Sequence, residues 1–180
     1  EWMKYEEGKL DKLGNAEPHL VSYNDGAGNL TIGYGRNQKF QRPQRISDAD
    51  ADKLLEEDLD AASSILIDST VEDISETITI PVKLTQNQFD ALTSIIFNAG
   101  ARGYKSSKLH KEYISKSITS GPEFEETFKT TMLKTGFSGL EKRRERELKM
   151  FRDGDYESKA SSLKERKEPR NDAVLSRAGV

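Results

Sequence analysis

A change in the spacing of apolar residues near Ser47 limits the possible folds of this chain of 180 residues more than any other feature. Two short apolar segments, "HLVSYND" and "NLTIGYG", flank a turn of Asn, Asp and Gly, which is typical of an antiparallel hairpin. From Ser47 onward, apolar residues recur at intervals of three and four, which indicates amphipathic helices. A hairpin followed by several amphipathic helices predicts an α+β fold, mostly α, with a small N-terminal antiparallel sheet.

Local signals predict the individual elements. A short helix should end at Gly8, a loop should cover residues 9–19, and Ser47 should cap a helix that ends near Ile67. Thr85 and Gln88 form a capping box that opens a core helix as far as the glycine at position 100. The segment "ETITIPV" alternates like a strand, "QKFQRPQR" is a connector, and further helices are expected at about 107–118, 124–133 and 139–151.

Composition excludes several classes of function. The chain has no cysteine, so it forms neither a disulfide nor a thiolate metal site. His19 and His110 lack the spacing of zinc ligands, and "SDADADKLLEEDL" has Lys53 where a calcium loop needs Gly. The net charge of −3 argues against nucleic-acid binding, and no apolar run approaches the ~18 residues of a membrane span. We therefore expect no metal or other cofactor, no nucleic-acid partner and no membrane insertion.

The hairpin turn points to function because Asp25 and Thr31 stand six positions apart across it. Either residue alone is ordinary, since Asp favours turns and Thr favours strands. Glu7, at the predicted end of the first helix, adds a second carboxylate. Glycoside hydrolysis needs one carboxylic acid that protonates the leaving oxygen and another carboxylate across the sugar. Glu7, Asp25 and Thr31 could form such a site, with Thr31 holding a water beside Asp25.

Four blocks of the sequence, in order, resemble the phage-type lysozymes, or endolysins, of glycoside hydrolase family 24. "YNDGAGNLTIGYG" is similar to the catalytic hairpin of that family, and "ISDADADKLLEEDLDAA" to its interlobe helix. "LTQNQFDALTSIIFNAG" is similar to its core helix, and "GLEKRRERELKMFRDGDY" to its C-terminal lobe. The resemblance implies a two-lobed lysozyme-like domain at 1–156, followed by a polar C-terminal extension at 157–180. Its small β lobe would cover about 1–47, its interlobe helix about 48–67 and its helical lobe about 68–156.

The resemblance also implies roles for individual residues. Glu7 would be the general acid, Asp25 the base that orients the water, and Thr31 the second anchor of that water. Arg143 would pair with the acid's carboxylate, and Asn98 would line the same cleft.

Alternatives stay open at these last two positions. Arg144 or Arg146 could pair with the acid in place of Arg143, which itself could be a solvated member of "EKRRERE". Asn98 could instead cap its helix beside Gly100.

The chain departs from the family pattern at two points. The family usually places eight residues between the acid and the base, whereas seventeen separate Glu7 from Asp25 here. An inserted loop, "KLDKLGNAEPH", accounts for the difference. Glu17 is the rival acid because it lies nearer the family spacing, but a helix end such as that at Glu7 fixes a carboxylate better than a loop. Arg36 stands where the family often has a structural His, and it could replace that residue as a permanent cation.

The implied activity is that of an N-acetylmuramidase, which hydrolyses the β-1,4 bond between N-acetylmuramic acid and N-acetylglucosamine in peptidoglycan. The reaction would be inverting and need no cofactor. A lytic transglycosylase and a non-catalytic peptidoglycan-binding or tail-structural module are the alternatives. The pair of Asp25 and Thr31 disfavours the first because a transglycosylase needs no water. Glu7 together with that pair disfavours the second because a binding module needs none of the three.

Delivery and location are further expectations. The protein should act as a monomer in the periplasm, on the bacterial cell wall. The N-terminal residues carry no signal peptide, so a pore or a secretion apparatus should deliver it. The first residue is not Met, and the pI is near 5.6, whereas a basic surface would help a free endolysin on an anionic wall. These features favour one domain of a longer secreted or injected protein, such as a bacterial toxin.

Overall fold

The computed structural model describes residues 1–11, 13–25, 28–37, 44–74, 78–81, 83–131 and 139–156. Most of the predicted connector, at 38–43, and the predicted extension at 157–180 lie outside these ranges. Within the described ranges, no helix has both the length and the apolarity that crossing a membrane requires.

The N-terminal part consists of one short helix and two small antiparallel sheets. Helix α1 (Trp2–Glu7) precedes a two-stranded hairpin of β1 (Lys9–Leu10) and β2 (Ala16–Glu17). A three-stranded sheet follows, in the order β3 (His19–Asn24), β4 (Leu30–Gly33) and β5 (Arg36–Asn37). Tyr23 of β3 lies opposite Thr31 of β4, so their side chains emerge on the same face of the sheet.

Helices dominate the rest of the described chain. They are α2 (Asp48–Thr70), α3 (Gln86–Ser106), α4 (Pro122–Thr130) and α5 (Gly139–Asp153). A two-stranded antiparallel sheet of β6 (Val71–Ile74) and β7 (Ile78–Pro81) separates α2 from α3, and a π-helical turn (Leu109–Tyr113) leads into a 3-10 turn (Ile114–Lys116). The predicted caps are present. The Ser47 hydroxyl accepts the Asp50 N–H at 3.1 Å, and the Gln88 side chain accepts the Thr85 N–H at 3.0 Å.

The structure corrects three predicted elements. The stretch predicted as a loop at 9–19 contains the β1–β2 hairpin, because the Asp11 carboxylate closes a tight turn by accepting the N–H groups of Leu13 and Asn15. The core helix does not end at Gly100; a positive φ of 73° at this glycine produces a kink, and helix resumes as far as Ser106. The helix predicted at 107–118 is replaced by the π-helical and 3-10 turns.

Two hydrophobic clusters hold the elements together. The larger one joins α2, α3, α4 and α5, and includes Leu92, Phe124 and Phe151. The smaller one packs α1 and the sheet turn against α2 through the buried residues Met3, Tyr34, Ala51 and Leu55. Trp2 and Phe97 pack against both clusters. Helix α1 is therefore anchored at its start by Trp2 and Met3, and its last residue, Glu7, has a fixed position.

Candidate active site

Glu7 ends α1 directly before a glycine that the packing requires. A Cβ atom on Gly8 would lie 2.6 Å from the Lys4 carbonyl oxygen and 2.9 Å from the Glu17 carbonyl oxygen, so the backbone of β2 approaches the helix end too closely for any side chain. The Glu7 side chain is only 17% exposed. The pair of Glu7 and Gly8 therefore ends α1 and leaves a largely buried carboxylate at the end of that helix.

Arg143 of α5 binds the Glu7 carboxylate. Its Nη1 atom lies 2.5 Å from Glu7 Oε1, and its Nε atom donates to Glu147 at 3.0 Å. The Ser94 hydroxyl donates to Glu147 at 2.5 Å and accepts from Arg143 at 3.2 Å. Burial opposes the charge on Arg143, but Glu147 and Glu7 more than offset it, so the pKa of Arg143 is raised above its ordinary value. The guanidinium is thus a permanent, fixed cation beside Glu7.

The neighbouring arginines of α5 have other partners. Arg144 is fully buried and binds Glu147 as well as the Thr131 carbonyl at 3.0 Å. Its Nη2 atom also donates to the Asn98 side chain at 2.7 Å. Arg146 forms a two-point contact with Glu6, with distances of 2.9 and 2.7 Å. Among these three arginines, the contact to Glu7 is made by Arg143, and within the described residues the Asn98 side chain binds Arg144 and not Arg143 or Glu7.

Asp25 closes the β3–β4 turn by the same hydrogen bonds that Asp11 makes in the β1–β2 turn. The Asp25 carboxylate accepts the Asn29 N–H at 2.7 Å and the Asn29 side-chain amide at 3.0 Å. Asp11 accepts the corresponding two groups of Asn15 at 2.7 and 2.9 Å. The two turns share the pattern Asp-x-x-Gly-Asn, so the turn conformation by itself does not distinguish a catalytic aspartate from a structural one.

Thr31 is buried, with 2% of its surface exposed, and Asn29 links it to Asp25. The Thr31 hydroxyl contacts the Asn29 carbonyl at 3.3 Å and the Asn37 side-chain oxygen at 3.4 Å. Both distances are long for O–H···O hydrogen bonds, so neither contact holds the hydroxyl strongly. The Thr31 hydroxyl is therefore only loosely held by these two acceptors.

Tyr23 lies near both carboxylates, a position that the sequence interpretation did not single out. Its half-buried ring packs against His19 with ring centroids 4.1 Å apart. Burial raises the pKa of Tyr23, and the negative charges of Asp25 and Glu7 raise it further. Tyr23 precedes Asp25 by two residues along an extended strand, and this alternation is the signal that could have identified it.

A cavity of about 740 Å³ lies between the sheet, α2 and α3, and its lining includes Gly35, Asn37, Phe97 and Ala101. Two of these residues connect it to the site. A Cβ atom on Gly35 would lie 3.6 Å from Glu7 Oε2, and Asn37 contacts Thr31. This cavity is therefore the candidate substrate cleft. A second cavity, of about 750 Å³ and lined by Trp2, Tyr5 and Phe89 among others, shares Ser94 with the site.

Arg36 joins the sheet to α2, as its expected role as a cation implies. Its Nη2 atom lies 2.6 Å from Asp58, and its Nη1 atom lies 2.9 Å from Glu57. Hydrogen bonding to Asp58 is the main reason that the pKa of Arg36 is raised. Because Arg36 and Asp58 both line the cleft, this ion pair fixes one of its walls.

Glu17, the rival acid, lies on β2 with a half-exposed side chain 3.4 Å from Lys9. No contact in the described part of the chain joins the Glu17 carboxylate to Arg143. Ser94 and Glu147 also belong to the site and were not identified from the sequence. The spacing of four from Arg143 could have indicated Glu147, whereas no local signal marks Ser94. Over the described ranges, no three His, Asp or Glu side chains converge as metal ligands would.

Comparisons with known proteins agree on one family. The phage lysozyme family model matches residues 17–147, a range that begins after Glu7. The endolysin of Acyrthosiphon pisum secondary endosymbiont phage 1 is 30% identical over 135 residues, which cover 73% of this chain and 86% of that protein. The endolysin of Bacillus phage PZA is 32% identical over 130 residues, which cover 69% of this chain but only 44% of the relative.

Solved structures give the same result. The endolysin from Escherichia coli O157:H7 phage FAHEc1 superposes with a TM-score of 0.64 and 26% sequence identity. The superposition covers 87% of this chain and 91% of that one.

Proposed function

This chain belongs to the phage lysozyme family and is a peptidoglycan-hydrolysing muramidase, and we propose that Glu7 and Asp25 are the acid and base of its reaction. The bond cleaved is the β-1,4 linkage between N-acetylmuramic acid and N-acetylglucosamine, in one displacement that inverts the anomeric carbon. The observation that carries the proposal is the position of the Glu7 carboxylate, held by Arg143 beside Gly35 at the cleft.

Glu7 donates its proton to the glycosidic oxygen as the bond to the anomeric carbon breaks. The carboxylate that remains is stabilised by Arg143, which already contacts it. Because Glu147 binds the same guanidinium from a second direction, Arg143 does not need to move when Glu7 changes charge. This fixed cation stabilises the negative charge that develops on the Glu7 carboxylate during the proton transfer.

Asp25 accepts a proton from the attacking water, whose oxygen bonds to the anomeric carbon on the face opposite the leaving group. One carboxylate oxygen can take the proton, but the direction of the water requires a second contact. The weakly held hydroxyl of Thr31 supplies that contact, since Asn29 connects the two residues. The atoms balance: one water is consumed, and each product sugar gains one hydroxyl group.

The acid is tested by Glu7→Gln against Glu17→Gln. Both substitutions keep the side-chain volume and remove the transferable proton. Glu7→Gln should lower the rate of wall hydrolysis by about 10²–10⁴-fold or more, whereas Glu17→Gln should retain activity. Full activity of Glu7→Gln together with loss in Glu17→Gln would assign the acid to Glu17.

The base is tested by a control within the same chain. Asp25→Asn and Asp11→Asn disturb the same type of turn with the same pair of Asn contacts. Both should lower the unfolding temperature by similar amounts, but only Asp25→Asn should abolish hydrolysis. If the two variants keep equal activity, Asp25 serves only the turn.

The products distinguish the reaction type. Mass spectrometry of muropeptides after digestion should show reducing ends, and the anomer first detected by NMR should be α because inversion converts a β bond. Anhydro ends would instead identify a transglycosylase, and intact sacculi a binding module.

We propose that the chain acts as a monomer in the cell wall and arrives through a pore or a secretion apparatus, within a longer protein. Size-exclusion chromatography with light scattering tests the first part. Fractionation of producing cells before and after inhibition of secretion tests the second.

A further inference from the structure

The Tyr23 ring is packed, but its hydroxyl has no hydrogen-bond partner in the part of the chain that the structure describes. The residue lies on β3, opposite Thr31 and two positions before Asp25, so its side chain emerges on the same face of the sheet as that of Thr31. The ring packs on His19, which accounts for its apolar surface. The Tyr23 side chain is half-buried, yet its hydroxyl donates no hydrogen bond within the described part of the chain.

The charges around the Tyr23 phenol belong to the proposed site. Both Asp25 and Glu7 act on the Tyr23 phenol, and together with burial they raise its pKa. The phenol therefore keeps its proton throughout the neutral range. It is a hydrogen-bond donor within electrostatic range of two carboxylates of the proposed site, and it is not bound to a protein acceptor in the described part of the chain.

We propose that the Tyr23 hydroxyl donates a hydrogen bond to an oxygen of the glycan that lies between Glu7 and Asp25, and that Tyr23 is thus a substrate-binding residue. The inference rests on the proposed roles of those two carboxylates. Sugars present hydroxyl, ring and acetamido oxygens, all of which accept from a neutral phenol, whereas the carboxylates themselves can only accept while ionised. Tyr23 therefore supplies a donor close to the acceptor that Asp25 supplies.

The test compares Tyr23→Phe, Tyr23→Leu and Tyr156→Phe. Tyr23→Phe keeps the ring and its packing on His19 but removes the hydroxyl. Tyr156→Phe is the matched control, since it removes the same group from a tyrosine that binds Asp90 away from the cleft. Kinetics on soluble peptidoglycan fragments and thermal unfolding are measured for each variant.

We expect Tyr23→Phe to lower kcat/KM by about 2- to 10-fold, mainly through a higher KM, with an unchanged unfolding temperature. The ratio of wild-type to variant kcat/KM should be constant from pH 5 to pH 9, because the phenol stays protonated. Tyr156→Phe should keep the wild-type kcat/KM. If Tyr23→Phe also keeps it, the proposal is wrong, and it is equally wrong if only Tyr23→Leu loses activity, since the ring alone would then matter.

Glu7→Gln, assayed in parallel, separates this inference from the function on which it rests. An inactive Glu7→Gln with a fully active Tyr23→Phe overturns the role of Tyr23 alone. A fully active Glu7→Gln overturns both proposals, whatever the Tyr23 variants do.

Discussion

Loss of the Glu147 carboxylate should disturb both the stability of this protein and its site. Its side chain is completely buried on α5 and accepts hydrogen bonds from Ser94, Arg143 and Arg144. Glu147→Gln keeps the shape but leaves the two buried guanidinium groups with one carboxylate, Glu7, in place of two. The new amide also directs N–H donors towards groups that are themselves donors.

The expected cost follows from this arrangement. Removing one partner of a buried ion pair costs about 3–5 kcal/mol, because the remaining charge stays buried without compensation. For a domain of this size, each kcal/mol lowers the unfolding temperature by about 2–4 °C, so Glu147→Gln should lower it by about 6–20 °C. Activity should fall as well, even at a temperature where the variant is folded, because Arg143 loses the contact that fixes it beside Glu7.

The assay is thermal unfolding followed by circular dichroism, together with the rate of wall clearing at 15–20 °C. Glu145→Gln is the matched control, because Glu145 is an exposed residue of the same helix. It should leave both quantities close to those of the wild type. The reasoning is refuted if Glu147→Gln unfolds within about 1 °C of Glu145→Gln, since the buried carboxylate would then contribute nothing.

Three further predictions concern the water, the solvent salt and the pH. Thr31→Ala should fold normally and slow turnover, whereas Thr31→Glu should put a nucleophilic carboxylate at the position of the water. The second variant should then give a covalent sugar adduct, detected by mass spectrometry of the protein, or a product with retained configuration, detected by NMR. Full activity of Thr31→Ala, with neither an adduct nor a retained product from Thr31→Glu, would contradict this. With a pI near 5.6, wall clearing should fall only slightly between low and physiological salt, and a steep loss would instead identify the basic helix segment Lys142–Lys149 as a wall contact. Burial is the main reason that the pKa of His19 is lowered below 6.5, and the charge of Lys9 adds to it. Neutral His19 therefore contributes its full stabilisation of the folded state above pH 6.5, and this stabilisation is lost as the pH falls through the lowered pKa of the folded protein. Denaturant unfolding between pH 8 and pH 4.5 should show this loss in the wild type and not in His19→Gln, and equal slopes in both would argue against it.

Local signals in the sequence were sufficient for much of the fold. The apolar spacing of α2 and α3, the caps at Ser47 and Thr85, and the turn before β4 each depend on a few adjacent residues, so they can be predicted without tertiary contacts. The same holds for the ordered set of Glu7, Asp25 and Thr31, because their chemistry and their places at element ends are visible in the sequence. Their catalytic roles stay predictions until the substitutions are made.

Other features depend on residues that are distant in sequence. The β1–β2 hairpin lies in a stretch predicted as a loop, since strands of two residues give no periodicity and β2 is held by packing on the end of α1 at Gly8. The kink at Gly100 was missed for a related reason, because a glycine at a helix end and one within a kinked helix have the same local sequence. Tertiary packing decides between them.

The sequence alone determines the helix end at Glu7 and the Asp-x-x-Gly-Asn turn, which occurs twice, at Asp11 and at Asp25. Only the tertiary structure decides which arginine of α5 meets Glu7, because three of them lie within four positions and differ only in the direction they leave the helix. Arg143 makes this contact because its side chain lies against Ser94 and Glu147 in the core and from there reaches Glu7, 136 positions earlier in the chain. Long-range packing of this kind has no local signature, because it depends on how helices meet and not on what each helix contains.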